Sequence, residues 1–156
     1  MAIAPAEAGR FTLELSIAQE AVMHSARYVR LFSDDLGESH FEDLELSLTL
    51  QDYAPPAAPL NVAPFLQATG TYWVGAPVDW SGDVLHPTPR RQLICTVEGE
   101  YEITASDGEV RCFPAGSVLL VEDTSGKGHS TKITYNKGAL VLVVDLAEEN
   151  SRSMNE

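Results

Sequence analysis

The sequence predicts an all-β protein, an antiparallel barrel or sandwich. Three observations carry this. From residue 70 onward, short β-type runs alternate with Gly- or Pro-containing turns at close intervals. No helix-length periodic segment interrupts them. Hydrophobic residues make up 44% and charged residues 21% of 156 residues, the composition of an ordinary globular chain with one domain's worth of core.

Taken in order, Ser16-Ile-Ala-Gln19 has the form of a capping box, and Ile17, Ala21 and Val22 form an apolar stripe, so a short helix is expected near 16–25. Arg27 to Phe32 reads as a strand. Leu44, Leu46, Leu48 and Leu50 alternate with Glu45, Ser47 and Thr49, the period of a strand with one buried face. Pro55-Pro-Ala-Ala-Pro59 lacks ladder donors and reads as an extended connector. Then come Thr71–Val74, Gln92–Val97 closed by Glu98-Gly99, and Tyr101–Thr104. Ser106-Asp-Gly108 is a hairpin signal, and Val110–Phe113 runs into the Pro114-Ala-Gly116 turn. Ser117–Val121, Thr131–Tyr135 and Ala139–Val144 complete the set, with Lys137-Gly138 as the last turn. Ser125-Gly-Lys-Gly128 lacks the spacing of a phosphate loop and reads as a flexible turn or lid edge. The expected organisation is an N-terminal extension over 1–60 packing on the barrel or on a partner, a barrel over 61–147, and a polar tail over 148–156.

Twenty-three acidic residues against ten basic give a net charge of −13. Such a surface repels phosphate backbones and anionic lipid, so neither nucleic acid nor membrane is the expected partner. No apolar run approaches the ~20 residues of a membrane span. The start of the chain has no basic segment followed by an apolar core, and Cys95 and Cys112 form neither a metal-spaced pair nor a disulfide framework. A cytoplasmic protein with reduced thiols is the expectation.

The stretch from Gly82 to His129 resembles a cupin domain. The first cupin motif, G-x5-H-x-H-x3,4-E-x6-G, is met by His86, Gln92 and Gly99, with Thr88 in place of the second His and Gln92 in place of the Glu. The second, G-x5-P-x-G-x2-H-x3-N, is met by Gly116 and, after a longer Ser-Gly-Lys-Gly segment, by His129, with Glu122 for Pro and Thr124 for Gly. The resemblance covers about half of the chain. It implies an antiparallel double-stranded β-helix, the jelly-roll barrel of RmlC-like proteins, with His86 and His129 side by side in its mouth. It also implies a homodimer formed through sheet pairing or strand exchange near the N-terminus.

In a regular strand His86, Thr88, Arg90 and Gln92 share one face, as do His129, Thr131, Ile133 and Tyr135. Family members that bind iron, manganese, nickel or zinc use three His and one Glu. Here His86 and His129 remain, with Gln92 as the only further member of a metal set; Thr88 and Gln92 are weak neutral ligands without charge compensation. No metal cofactor is therefore expected. The remaining inventory is His86, His129 and Glu122 for proton transfer, with Glu122 or Asp123 able to orient a histidine or act as a base. Arg90, Gln92, Thr88, Trp73, Tyr101 and Tyr135 are the expected substrate-binding residues. This equipment suits metal-independent acid–base chemistry on a small organic substrate, of isomerase, lyase or cyclase type. Two readings stand beside it: a metal-dependent oxygenase using Fe, Mn, Ni or Zn, and a non-catalytic small-molecule-binding module.

Overall fold

A computed structural model describes residues 25–64 and 66–148. The expected helix near 16–25 and most of the polar tail lie outside them. Among the described residues there is no helix, and eleven strands are formed. The all-β expectation holds.

The described residues fall into two compact units. The smaller, within 47–63, is a hairpin of β3 (Thr49–Gln51) and β4 (Leu60–Val62), paired with Thr49 opposite Val62. Its loop contains the proline run. Ala57 donates to the carbonyl of Ala54, so Pro55–Pro59 forms a compact turn, not the extended connector its composition suggests.

The larger unit comprises 27–46 and the described residues from 64 onward. Its organising strand is β7 (Gln92–Ala105), fourteen residues long. The N-terminal half of β7 lies between β9 (Val118–Glu122) and β11 (Ala139–Leu146). Its C-terminal half lies between β8 (Val110–Pro114) and β10 (His129–Ile133). One strand thus serves two sheets. The first runs β2 (Ser39–Ser47), β1 (Ser25–Ser33), β9, β7, β11, β5 (Ala68–Ala76), and β1 joins β9 in parallel. The second runs β8, β7, β10, β6 (Ser81–His86). This is a jelly-roll-like pair of sheets. Among the described residues the strands do not close into a barrel.

Glu98-Gly99 was expected to end a strand; instead β7 bends through it. Gly99 has φ +80°, and an added Cβ would stand 2.1 Å from the Gly138 carbonyl oxygen. The ladder slips by one residue here, Leu140 facing Glu98 while Val141 faces Thr96. A glycine at such a bulge lets a strand turn a corner between sheets. The other turn signals hold: Gly108 closes onto Ala105, and Ser117 onto Pro114.

Burial follows the strand period. Leu44, Leu46 and Leu48 are half-buried between exposed Glu45, Ser47 and Thr49, although β2 ends at Ser47 and Leu50 is exposed. The core joins Leu31, Phe41, Tyr101, Ile103, Phe113, Leu119, Val121, Val141 and Val143. These residues come from both sheets, so their burial holds the sheets face to face. Each fully buried aliphatic side chain contributes roughly 1.5–3 kcal/mol to that packing.

The segment 125–128, expected to be a flexible lid edge, is instead tied to the turn after β1. Lys127 donates its backbone N–H to the Gly37 carbonyl and its ammonium to Glu38, Ser33 Oγ donates to the Ser125 carbonyl, and Ser39 Oγ donates to the Gly128 carbonyl. The same turn is fastened from its other side. His40 bonds Asp34 through Nε2 (2.9 Å) and Asp107 through Nδ1 (2.8 Å). The Asp34 and Asp107 hydrogen bonds hold the His40 imidazolium above its ordinary value. In turn, the His40 bond at Asp34, and chiefly the Glu109 amide at Asp107, hold these carboxyls below theirs.

A pH dependence follows. A raised histidine stabilises the fold fully below its unfolded value near 6.5 and loses that contribution as pH rises through the folded value. The lowered carboxyls contribute above about 4 and lose it as pH falls through their folded values. The melting-temperature difference between wild type and His40→Gln is expected to be greatest between about pH 4 and 6.5 and to shrink above that window. A difference that widens toward alkaline pH contradicts this clamp.

Candidate functional site

His86 ends β6 and His129 opens β10, and the antiparallel register sets them directly opposite one another. Their ring centroids are 4.9 Å apart at 49°. The close approach depends on Gly128: at its φ of +73°, an added Cβ would lie 2.1 Å from the carbonyl carbon and oxygen of His86. Two histidines 43 positions apart in the chain thus form one site.

Each ring is held by Nδ1. His129 Nδ1 is 2.6 Å from Asp123 Oδ2, with Asp123 fully buried and the His129 side chain 9% exposed. His86 Nδ1 is 2.8 Å from the carbonyl oxygen of Val84, and its ring is exposed. A carbonyl oxygen only accepts, so His86 carries a hydrogen on Nδ1, and the carboxylate places one on Nδ1 of His129 as well. In the neutral form of either ring the lone pair is then on Nε2. The second oxygen of Asp123, Oδ1, is buried, and among the described residues it has no hydrogen-bond partner. A buried carboxylate oxygen left unpaired costs about 1–3 kcal/mol, a cost of the kind found where function requires the group.

His129 also lines a cavity of about 280 Å³ between the two sheets. Its walls are mostly apolar, including Val74, Trp80, Ile94, Ile103, Ile133 and Val143, and its polar groups come from Tyr72, Gln92, Tyr101 and Thr131. The volume lies near the small end of the ~300–1,000 Å³ range of ligand sites. A larger cleft of about 590 Å³ runs along β1, β2 and β8. It holds no imidazole, and its charged groups include the Arg27–Glu45 and Arg111–Asp43 pairs, so the smaller cavity is the better candidate.

The expected site residues divide. Gln92 lines the cavity; its Nε2 donates to Tyr72 Oη (2.7 Å) and to Asp145 Oδ1 (2.9 Å). Tyr101 lines it too, with its phenol pushed up to about 12 by burial, against the opposing Thr96 hydrogen bond. It therefore remains protonated at neutral pH.

Four expected residues sit elsewhere. Strand β6 stops at His86, because Pro87 and Pro89 lack ladder donors, and the 87–91 segment is irregular. Thr88 is consequently buried outside the cavity lining, donating its backbone N–H to the Asp123 carbonyl, while Pro89 takes a place in the wall. Arg90 turns to Asp145, 3.0 Å away. Trp73 is 60% exposed, because alternation along β5 gives the cavity to its neighbours Tyr72 and Val74. Tyr135 follows the end of β10 and is 40% exposed.

Glu122 requires a correction as the candidate acid or base. Neighbouring positions 122 and 123 face opposite sides, so Asp123, not Glu122, meets His129. Glu122 lies between Arg30 and Arg91, bonded to both guanidiniums. Burial pushes the Glu122 carboxyl up, but the two guanidiniums hold it below the usual carboxylate range. Sequence reasoning offered Tyr72 and Trp80 as wall residues, and both line the cavity; it missed Asp145, the carboxylate that holds Gln92.

A resident metal does not fit this donor set. His86 and His129 supply two imidazoles, but Gln92 offers only a neutral amide oxygen, and Asp123 stands behind His129 on Nδ1. Among the described residues no group of three or more His, Cys, Asp or Glu side chains is placed to hold a metal ion.

No protein-family model and no curated protein sequence matches the chain. Among solved structures, the chain is similar to the cupin domain of Schizosaccharomyces pombe Cnp3, at 11% sequence identity and a TM-score of 0.40, over 81% of this chain and 86% of that one.

Proposed function

We propose that this chain is a small-molecule enzyme of isomerase, lyase or cyclase type, moving a proton without a metal. The observation that carries the reading is the Asp123–His129 pair: a fully buried carboxylate 2.6 Å from Nδ1 of a histidine in a cavity wall. The Nδ1–H tautomer makes Nε2 the base, and the carboxylate stabilises the imidazolium formed when Nε2 takes a proton. The proton comes from a C–H beside a carbonyl, its electron pair passing to the carbonyl oxygen, and the imidazolium returns a proton to the same carbon or a neighbouring one. His86, exposed and 4.9 Å from His129, exchanges protons between the site and water.

Deuterium wash-in tests the reading. A panel of small ketones, oxo acids, amides and lactams in D2O, followed by proton NMR, should show exchange of a C–H beside the carbonyl in at least one compound. That exchange should vanish with His129→Ala. Wild-type protein that exchanges none of the panel, or a His129→Ala variant that exchanges as fast, contradicts it.

A further inference from the structure

Beyond the histidine pair, the cavity contains a second polar feature, built on Gln92. The side chain is buried in β7, directly across the ladder from Asp145 in β11. Asp145 is itself 6% exposed and holds Gln92 Nε2 with one oxygen and the Arg90 guanidinium with the other. A carboxylate on an arginine only accepts, so the Gln92 amide nitrogen must face it, and the orientation of the amide is fixed. The second Nε2 hydrogen goes to Tyr72 Oη. Both donors of Gln92 are thereby used within the protein, and among the described residues no donor reaches its Oε1. Tyr72 Oη accepts from Gln92, and among the described residues no acceptor takes its own hydrogen. It stands at the cavity mouth, 42% exposed.

The cavity lining therefore includes an amide of fixed orientation with an unused acceptor, Gln92 Oε1, and, bonded to that amide, a hydroxyl able to donate, Tyr72 O–H. Among the described lining residues there is no Lys, Arg, Asp or Glu. Arg90, expected to bind substrate, is committed to Asp145 behind the wall. An anion entering this apolar space would lose its hydration without a cation to replace it. We propose that the cavity selects an uncharged molecule carrying a C=O next to an N–H (an amide, lactam or imide), the C=O accepting from Tyr72 and the N–H donating to Gln92. Arg90 and Asp145 act as positioning residues, holding the Gln92 amide in one of its two orientations. The inference rests on the reading of this cavity as a substrate site and names the class of molecule it takes.

The test is a chemical-shift titration of the labelled protein with δ-valerolactam, N-methyl-δ-valerolactam and succinate. The lactam should shift the Gln92 side-chain amide signals and bind about three- to tenfold more tightly than its N-methyl analogue, the effect of one neutral hydrogen bond. Tyr72→Phe, a change at the exposed mouth, should weaken the lactam by a similar factor while the protein stays folded. Equal binding of the N-methyl compound, tighter binding of succinate, or no shift with the lactam overturns the proposal. The proton-transfer reading fails separately. Deuterium wash-in without lactam preference leaves the base and removes this selectivity, whereas lactam selectivity with no wash-in leaves a binding cavity and removes the base.

Discussion

Asp123→Asn is expected to lower turnover by about 10²–10⁴-fold while leaving the protein folded, the range that a positioned general base contributes. The substitution keeps the shape of the side chain but changes what it offers His129. In wild type the carboxylate accepts from Nδ1 at 2.6 Å, so the neutral ring has its lone pair on Nε2, and His129 lines the cavity. An asparagine that turns its NH2 group to Nδ1 moves the imidazole hydrogen to Nε2, and the base facing the substrate disappears. The unpartnered Oδ1 of Asp123 makes this variant tolerable, because no second bond to that oxygen is lost. Wash-in rates of wild type and variant on the same compound, with melting temperatures as the check on folding, decide the matter. A variant that exchanges at the wild-type rate would mean that Asp123 does not set the tautomer.

Gly128→Ala is expected to destabilise the fold by about 3 kcal/mol or more and to separate the two imidazoles. The left-handed backbone at residue 128 disfavours any side chain by roughly 1–2 kcal/mol. The larger effect is contact: the new methyl would lie 2.1 Å from the His86 carbonyl group and 2.3 Å from the nitrogen of Pro87. Those are backbone atoms at the end of β6 and cannot swing aside as a long side chain would. Either β6 or the 125–128 loop must move, and the loop is anchored to Gly37, Glu38 and Ser39. Denaturant unfolding measures the cost. A variant as stable as wild type, with the same His86 and His129 ring shifts, contradicts the claim that this glycine sets their approach.

The residues that remained legible in the sequence are those in unbroken strands. Gln92, Ile94 and Thr96 alternate with Leu93, Cys95 and Val97, which puts them on one face; the family resemblance made that face the interior, and Gln92 and Ile94 line the cavity. His129, Thr131 and Ile133 follow the same rule in β10. Period-two reasoning fails where the strand fails. Pro87 and Pro89 end the ladder, so Thr88 and Arg90 do not inherit the face of His86. Tyr135 lies past the last rung of β10. The choice between Glu122 and Asp123 was not legible for a different reason. Val118 to Val121 is apolar at every position, so the sequence carries no alternation to say which side faces inward. Only the pairing of Val121 with Leu31 and Gln92 fixes it. The Gly99 bend was misread because a positive-φ glycine serves a bulge as readily as a turn. Similarly, the glycines at 126 and 128 suggested mobility, although they are what lets the loop pack closely on Gly37 and His86.

Long-range nitrogen–proton NMR of the histidine rings near neutral pH tests the central claim most directly. A base held by Asp123 predicts a His129 ring whose hydrogen sits on Nδ1 and whose Nε2 is bare, with His86 in the same tautomer. A His129 ring bearing its hydrogen on Nε2 would leave the cavity facing a donor where the proposed chemistry needs a base.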